Sequence, residues 1–527
     1  MLDADVIVVG GGLSGLTAAW HLLKKQPGLN VKVLEAKDRV GGRTLTVDMV
    51  AANGTDRWDL GGQWVGKTQP HVLQLIQELG LELYPQYVTG KKFQQVGGHK
   101  ISSYKSDIPA LSWYSLIQLH LFMTKVEKLS HKVQSSNPME NESTRYLDYV
   151  TVEEFINQNL SSQDARDSVA AAGRCMFGVE PSQMSMLYYL LYANAAGGIE
   201  ALISAKENLG GQQYKIKGGA QQLCELLVQR VGADKVFISK PVVAVEQDEN
   251  RVSLTTVDGK VYLCRKVVMA LPPHQAAKIE YSPALPSDKL HVFQRMPVGH
   301  LIKFLVTYKS AFWRENGASG EICTNGGPSV LKECDTGPLC IVFDATSPHG
   351  NPALVGFIGG DQALQYHSVS VEERRRAVLH SLSQFFGDQA QAYLDYMEKD
   401  WHDEPYNGGC PVDVGTPGIM RFFAGGLRDP FLNLHFAGTE SATVWCGFLN
   451  GAVQTGIRAA SEVLYQLKPE AVTREEMKGT YYDPHRPDRR VAVSVRSSSC
   501  MAQCIIGLGI VSICAIVAVK LGYVKYK

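Results

Sequence analysis

The run Val6–Val9 is wholly apolar and β-branched, the pattern of a strand covered on both faces, and Gly10-Gly-Gly-Leu-Ser-Gly15 follows it directly. Residues 16–25 then read as a helix, and Val31–Leu34 is a second apolar run that ends on Glu35. Strand, glycine turn, helix and strand within about 30 residues predict a βαβ unit. From 93 to 209 the apolar positions fall at helical spacing, notably over 111–129 and 184–195. Alternation returns from 214 to 270: 236–245 and 252–257 read as strands, 266–271 as a buried strand, and Gly218-Gly219 as the opening of a helix. A mixed stretch, 293–401, precedes a last signature at 434–440.

The predicted fold is therefore mixed α/β, with two domains each assembled from separated segments. A Rossmann-type dinucleotide-binding domain takes 1–92, 214–292 and 402–467. A substrate domain takes the helical segment 93–213 and the mixed sheet-and-helix segment 293–401. Residues 468–498 are polar and proline-bearing and read as an extended arm, and 499–527 as a membrane anchor. Within that last segment Cys504 to Val519 carry no charge, with Arg496 before them and Lys520, Lys525 and Lys527 after. Extended back to Ser497 the stretch reaches about 20 residues, enough for a transmembrane helix of roughly 30 Å.

Composition narrows the function class. Basic and acidic residues both number 52, so no net field gathers nucleic acid or another polyanion. Apolar residues at 45% and charged residues at 20% are ordinary for a folded enzyme. The eleven cysteines include no CxxC pair and fit a reducing compartment better than a disulfide framework. The first residues have no basic n-region, so neither a secretory nor a transit signal is expected, and the sequons at Asn53, Asn141 and Asn159 are read as chance. No metal motif is visible. His71, His349 and His435 are expected in loops or core.

Gly10-x-Gly12-x-x-Gly15 between strand and helix puts backbone N–H groups at a helix N-terminus, where the dipole favours a pyrophosphate. Glu35, twenty residues beyond Gly15, suits ribose hydroxyls and repels a 2′-phosphate, which leaves NAD or FAD open. Two further glycine pairs, in Arg39-Val-Gly-Gly-Arg43 and in Asp59-Leu-Gly-Gly-Gln-Trp-Val-Gly66, are spaced as loops that let backbone approach a ligand.

Over nearly the whole chain the sequence resembles the flavin-containing amine oxidases, and the monoamine oxidases among them. The resemblance is carried by the segment from Glu35 to Arg43, by Asp59 to Gly66, by the run around Val242, by Tyr406-Asn-Gly-Gly-Cys410, and by the stretch holding Gly438, Thr439, Glu440, Phe448 and Leu449. It implies FAD as cofactor, held by those residues together with Gly10, Gly12 and Gly15 and joined by a thioether to Cys410. It also implies that Lys303 holds a water against the flavin N5, that Trp401 lies beside the flavin, and that Ile203 and Gln212 line the substrate cavity. It further implies an amine substrate oxidised with O2, a homodimer, and a lipid-bilayer anchor in the mitochondrial outer membrane with the body on the cytosolic face, the endoplasmic reticulum being the alternative.

One departure bears on substrate. Where monoamine oxidases place two tyrosines before the flavin, this chain has Pro411 and Phe448. The aromatic cage that polarises an amine nitrogen is thereby half dismantled. A polyamine oxidase, expected to show carboxylates at its mouth, and an amino-acid oxidase, with Arg174 as the partner of a substrate carboxylate, are the alternatives within the family. A non-catalytic FAD-bearing membrane protein is the alternative outside it.

Overall fold

A computed structural model describes residues 2–98, 100–105, 108–204 and 210–486. The predicted βαβ unit opens a five-stranded parallel sheet in the order Val236–Phe237, Val31–Leu34, Val6–Val9, Lys266–Met269, Leu434–Phe436. Its central strand is fully buried, because Val6 and Val8 pack in one core with the helices Leu13–Lys25 and Leu449–Leu467 while Ile7 and Val9 pack in a second core. Every strand arrives at the same edge. The loops after the strands therefore converge where ligands bind in open α/β sheets.

The second large sheet is mixed and seven-stranded, in the order Tyr393–Asp400, Leu301–Tyr308, Ala353–Gly359, Ile341–Asp344, Ala318–Thr324, Lys91–Gln95, Ser102–Tyr104. Leu301–Tyr308 is buried at all eight positions and paired on both sides. Helices Trp113–Ser130, Val152–Asn159, Gln163–Phe177 and Met186–Ala195 form the helical region. Each is started by a hydroxyl cap, Ser112, Thr151, Ser162 and Ser185, that accepts from a backbone N–H in the first turn. In the last of these helices only Asn194 escapes burial, so it has no solvent face at all.

Two expectations change. The run 236–245 is not one strand: Val236–Phe237 ends the parallel sheet, and Val242–Gln247 starts again in a separate four-stranded sheet. Ser239 at φ 53° and Pro241, which has no N–H for a ladder, break the run between them. The arm is not extended over 468–486. It turns back on the helix Leu449–Leu467, where the Tyr481 N–H donates to Glu462 at 3.0 Å, Thr480 is buried, and Arg486 pairs with Asp429 at 2.7 Å. Among the described residues no helix is long and apolar enough to cross a membrane, and the expected anchor lies outside them.

Candidate active site

At the end of Val6–Val9 the backbone, rather than any side chain, shapes the site. Gly10 adopts φ +108°, and a Cβ on Gly15 would sit 2.0 Å from the Gly10 carbonyl oxygen, so helix and strand touch only because neither residue has a side chain. Gly12 differs. Its nearest neighbours to a Cβ are 3.9 Å away, and it faces a cavity at the N-terminus of Leu13–Lys25. Glu35 borders the same cavity, its carboxylate accepting from the Gly11 N–H at 2.5 Å and the Lys37 N–H at 2.9 Å. Burial raises the Glu35 carboxyl and those backbone donors oppose the rise.

The cavity has a volume of about 940 Å³ and runs on past Val242 to Lys303, Trp401 and Cys410. That volume lies near the top of the ~300–1,000 Å³ range of small-molecule sites. An open glycine cradle at a helix N-terminus and a buried carboxylate in one such cavity fit a dinucleotide.

Arg43 ties the two ends of the sequence together. It donates to the Pro411 carbonyl at 2.9 Å and to both carboxylate oxygens of Glu440, at 2.5 and 3.1 Å. Burial disfavours its charge, yet Glu440 outweighs that and holds it protonated. Arg43 borders the cavity while Glu440 stands behind it. Gly438 accepts no side chain lightly at φ +103°; its N–H donates to Ser14 in the first glycine turn at 3.1 Å. Thr439 donates to the Phe448 carbonyl at 2.8 Å, and Phe448 caps the helix Leu449–Leu467, whose first turn, Leu449 included, borders the cavity. A helix N-terminus there favours negative charge.

Lys303 lies on the buried strand Leu301–Tyr308, which is paired on both sides, so it is not a solvent-facing edge lysine. Its Nζ donates to the Gly61 carbonyl and to Gln63 Oε1, both at 2.8 Å, so the second glycine pair fixes the lysine head. Burial pulls its pKa down to about 7, with Asp59 the first of the groups opposing. Trp401, also buried, donates from Nε1 to the Leu60 carbonyl at 3.1 Å. Cys410 is a free thiol whose backbone N–H donates to Gly299 at 2.9 Å. Burial pushes the thiol up, with Arg43 and Lys303 pulling the other way.

In front of these groups stand Pro411, Phe448, Gln212 and, at a rim that leaves it half exposed, Ile203. Gln212 donates to the Leu202 carbonyl at 3.2 Å and keeps a buried Oε1 with no hydrogen bond among the described residues. Two residues escaped sequence reasoning. Tyr189 and Tyr192, from the helix Met186–Ala195, face the cavity, and the Tyr192 ring lies 5.9 Å from that of Phe448. A helix apolar on every side reads as core, so no local signal separated these tyrosines from Tyr188, which is bonded to the Asp413 carbonyl. Arg174 is engaged with Glu180 at 2.7 Å and does not line the cavity, so it is not a partner for a substrate carboxylate. His71 meets Asn450, His349 meets Asp56, and His435 is buried against Glu462.

A family model described as flavin containing amine oxidoreductase matches residues 13–464. The chain is 35% identical over 468 residues to the flavin-containing amine oxidase A of Canis lupus familiaris, covering 88% of this chain and 85% of that one. It is 32% identical over 500 residues to the flavin-containing amine oxidase B of Homo sapiens, covering 92% and 93%. Among solved structures, cyclohexylamine oxidase from Brevibacterium oxydans IH-35A superposes with a TM-score of 0.81 at 31% identity, covering 88% of this chain and all of that one.

Proposed function

The chain belongs to the flavin-containing amine oxidoreductases, and on that footing we propose that it takes a neutral primary or secondary monoamine into the chamber between Phe448, Tyr192 and the wall bearing Lys303, with its flavin joined to Cys410. The reaction is oxidative deamination: amine, water and O2 give aldehyde, ammonia or a smaller amine, and hydrogen peroxide. The observation that carries the reading is that the head of Lys303, fixed by Gly61 and Gln63, shares one cavity with Cys410, Trp401 and the Gly12 cradle.

FAD, when bound, accepts the hydride equivalent from the amine α-carbon and hands its electrons to oxygen. The chain holds and orients. Gly12 and the helix behind it receive the pyrophosphate, Glu35 the ribose, and the run around Val242 the adenosine end. The Leu449–Leu467 helix N-terminus stabilises negative charge at the opposite end. Lys303, with a pKa near 7, holds water and exchanges a proton at Nζ. Phe448 and Tyr192 present ring faces to the amine, and the apolar chamber favours the uncharged base whose lone pair forms the C=N bond. Cys410 would hold the flavin by a thioether, giving up its thiol proton, with O2 as the final acceptor of the two electrons released.

Glu200 and Glu321 also border the cavity, the latter paired with Lys92 at 3.0 Å, and these carboxylates favour a di- or polyamine as the second reading. Peroxide release across aryl, alkyl and polyamines and amino acids tests the function. Monoamines should give the highest kcat/KM, polyamine preference would install the second reading, and absence of flavin bleaching with every amine would remove both. We further propose that the uncharged stretch 504–519 spans a membrane, because it is long enough with its flanks and is bounded by basic residues, and the resemblance to monoamine oxidases favours the mitochondrial outer membrane over the endoplasmic reticulum, with the body in the cytosol. Deleting 499–527 should release a flavinated protein from membranes.

A further inference from the structure

Behind the cavity wall, three segments far apart in sequence bring imidazoles to one carboxylate. His300 immediately precedes the strand Leu301–Tyr308, His367 ends the helix Asp361–His367, and Asp400 ends the strand Tyr393–Asp400. His300 Nε2 lies 2.9 Å from Asp400 Oδ1, and His367 Nδ1 lies 2.9 Å from Oδ2. A third imidazole, His402, stands with its ring 5.0 Å from that of His300 and 5.1 Å from that of His367. The ligand atoms of His300, His367 and Asp400 all fall within 4.8 Å of one another.

The backbone fixes this arrangement. The His300 N–H donates to Gly178, its carbonyl accepts from Gly360, and the Asp400 Oδ1 also accepts the His402 N–H at 3.0 Å. His300 is 7% exposed, and its Nδ1 is buried without a hydrogen-bond partner among the described residues, so the ring is hydrogen-bonded there through Nε2 to Asp400 and packed against His367 and His402.

We propose that His300, His367 and Asp400 bind a divalent ion of borderline softness, Zn²⁺ in the first instance, with His402 or water as the fourth ligand. Two imidazoles and a carboxylate suit zinc, whose Zn–N and Zn–O bonds of about 2.0–2.2 Å put tetrahedral ligand atoms roughly 3.4 Å apart. The His300 Nε2–Asp400 Oδ1 contact at 2.9 Å needs to open by about half an ångström to admit it, and the ligand atom of His367, within 4.8 Å of the other two, closes on the same ion. The ion takes the place of the shared protons: His300, metallated at Nε2, keeps its proton on the unpartnered Nδ1. His367 is partly exposed and His402 exposed, which supplies the entry path. Low pH opposes binding, because protonated imidazole has no lone pair to offer.

The test is equilibrium dialysis of the chelator-treated, flavin-loaded enzyme against Zn²⁺, with metal measured by atomic emission. One Zn²⁺ per chain should bind at pH 7.5 and be released by pH 5. His367→Ala should weaken binding at least about 10-fold, and His402→Ala less. Both rings lie at the surface, so flavin content and unfolding temperature verify that the variants fold. Absence of a saturable site in the parent enzyme, or unchanged affinity in His367→Ala, would overturn the assignment.

Discussion

The two ends of the cavity are made of different material. At the nucleotide end the walls are backbone: Gly10, Gly12 and Gly15 come from six consecutive residues, and what they exclude is any side chain. At the amine end the walls are side chains from at least five separated segments, with Tyr192, Lys303, Trp401, Pro411 and Phe448 meeting only after the chain has folded. Backbone sites tolerate no change at a touching glycine. Side-chain sites permit graded change, and Pro411 and Phe448, where the resemblance to monoamine oxidases implies a tyrosine pair, are the positions at which to look for it.

The sharpest way to break this contrast is to add one methyl group to each kind of glycine. Gly15→Ala puts a Cβ 2.0 Å from the Gly10 carbonyl oxygen and should cost more than about 4 kcal/mol, seen as loss of soluble flavoprotein. Gly12→Ala has the room to fold, so the unfolding temperature of its flavin-free form should match that of the flavin-free parent while the fraction of chains that incorporate flavin falls. If both variants behave alike, the distinction between a packing glycine and a cradle glycine is wrong.

Cys410→Ala should come next. Acid-precipitated parent protein should stay yellow, and the variant should release all of its flavin; free flavin in the parent supernatant would rule out the thioether.

Lys303→Met should slow oxygen-dependent reoxidation about 10²-fold, with a smaller effect on reduction by amine. It should also alter the pH dependence of stability. The folded pKa is lowered from 10.5 to about 7, so between those values the unfolded chain binds a proton that the folded chain does not. Stability contributed through this group therefore rises with pH from about 7 to 10.5. Thermal unfolding across that window should show a shallower rise in Lys303→Met. Some slope will persist, because burial also lowers Lys289 to about 7 and Lys37 and Lys215 to about 8.

The smallest effects belong to the front of the chamber. Phe448→Tyr keeps the ring and adds a hydroxyl, and should change kcat/KM for aryl amines by a few-fold, about 1 kcal/mol or less in transition-state energy. Pro411→Tyr should change it more, since it supplies the missing face. Equal kinetics in the parent and the double variant would mean that Tyr192 already fills the aromatic role.

By itself the sequence determined what is local. The βαβ unit and the glycine turn are written in neighbouring residues, because strand, turn and helix each depend on positions a few residues apart. A run such as 236–245 misleads for the same reason: its alternation is local, whereas the choice of sheet is not. The family resemblance carried Lys303 and Cys410 into a functional reading, but their chemistry needs the fold. Only strand pairing buries Lys303 deeply enough to lower its pKa, and only the return of 402–467 to the first glycine turn puts Cys410 in the cavity that Gly12 lines. Tyr192, Arg43 bonded to Glu440, and the imidazoles gathered at Asp400 are tertiary facts of the same kind. Desolvation, cavity shape and the convergence of distant side chains depend on which surfaces are removed from water together, and that is settled by packing rather than by the order of residues along the chain.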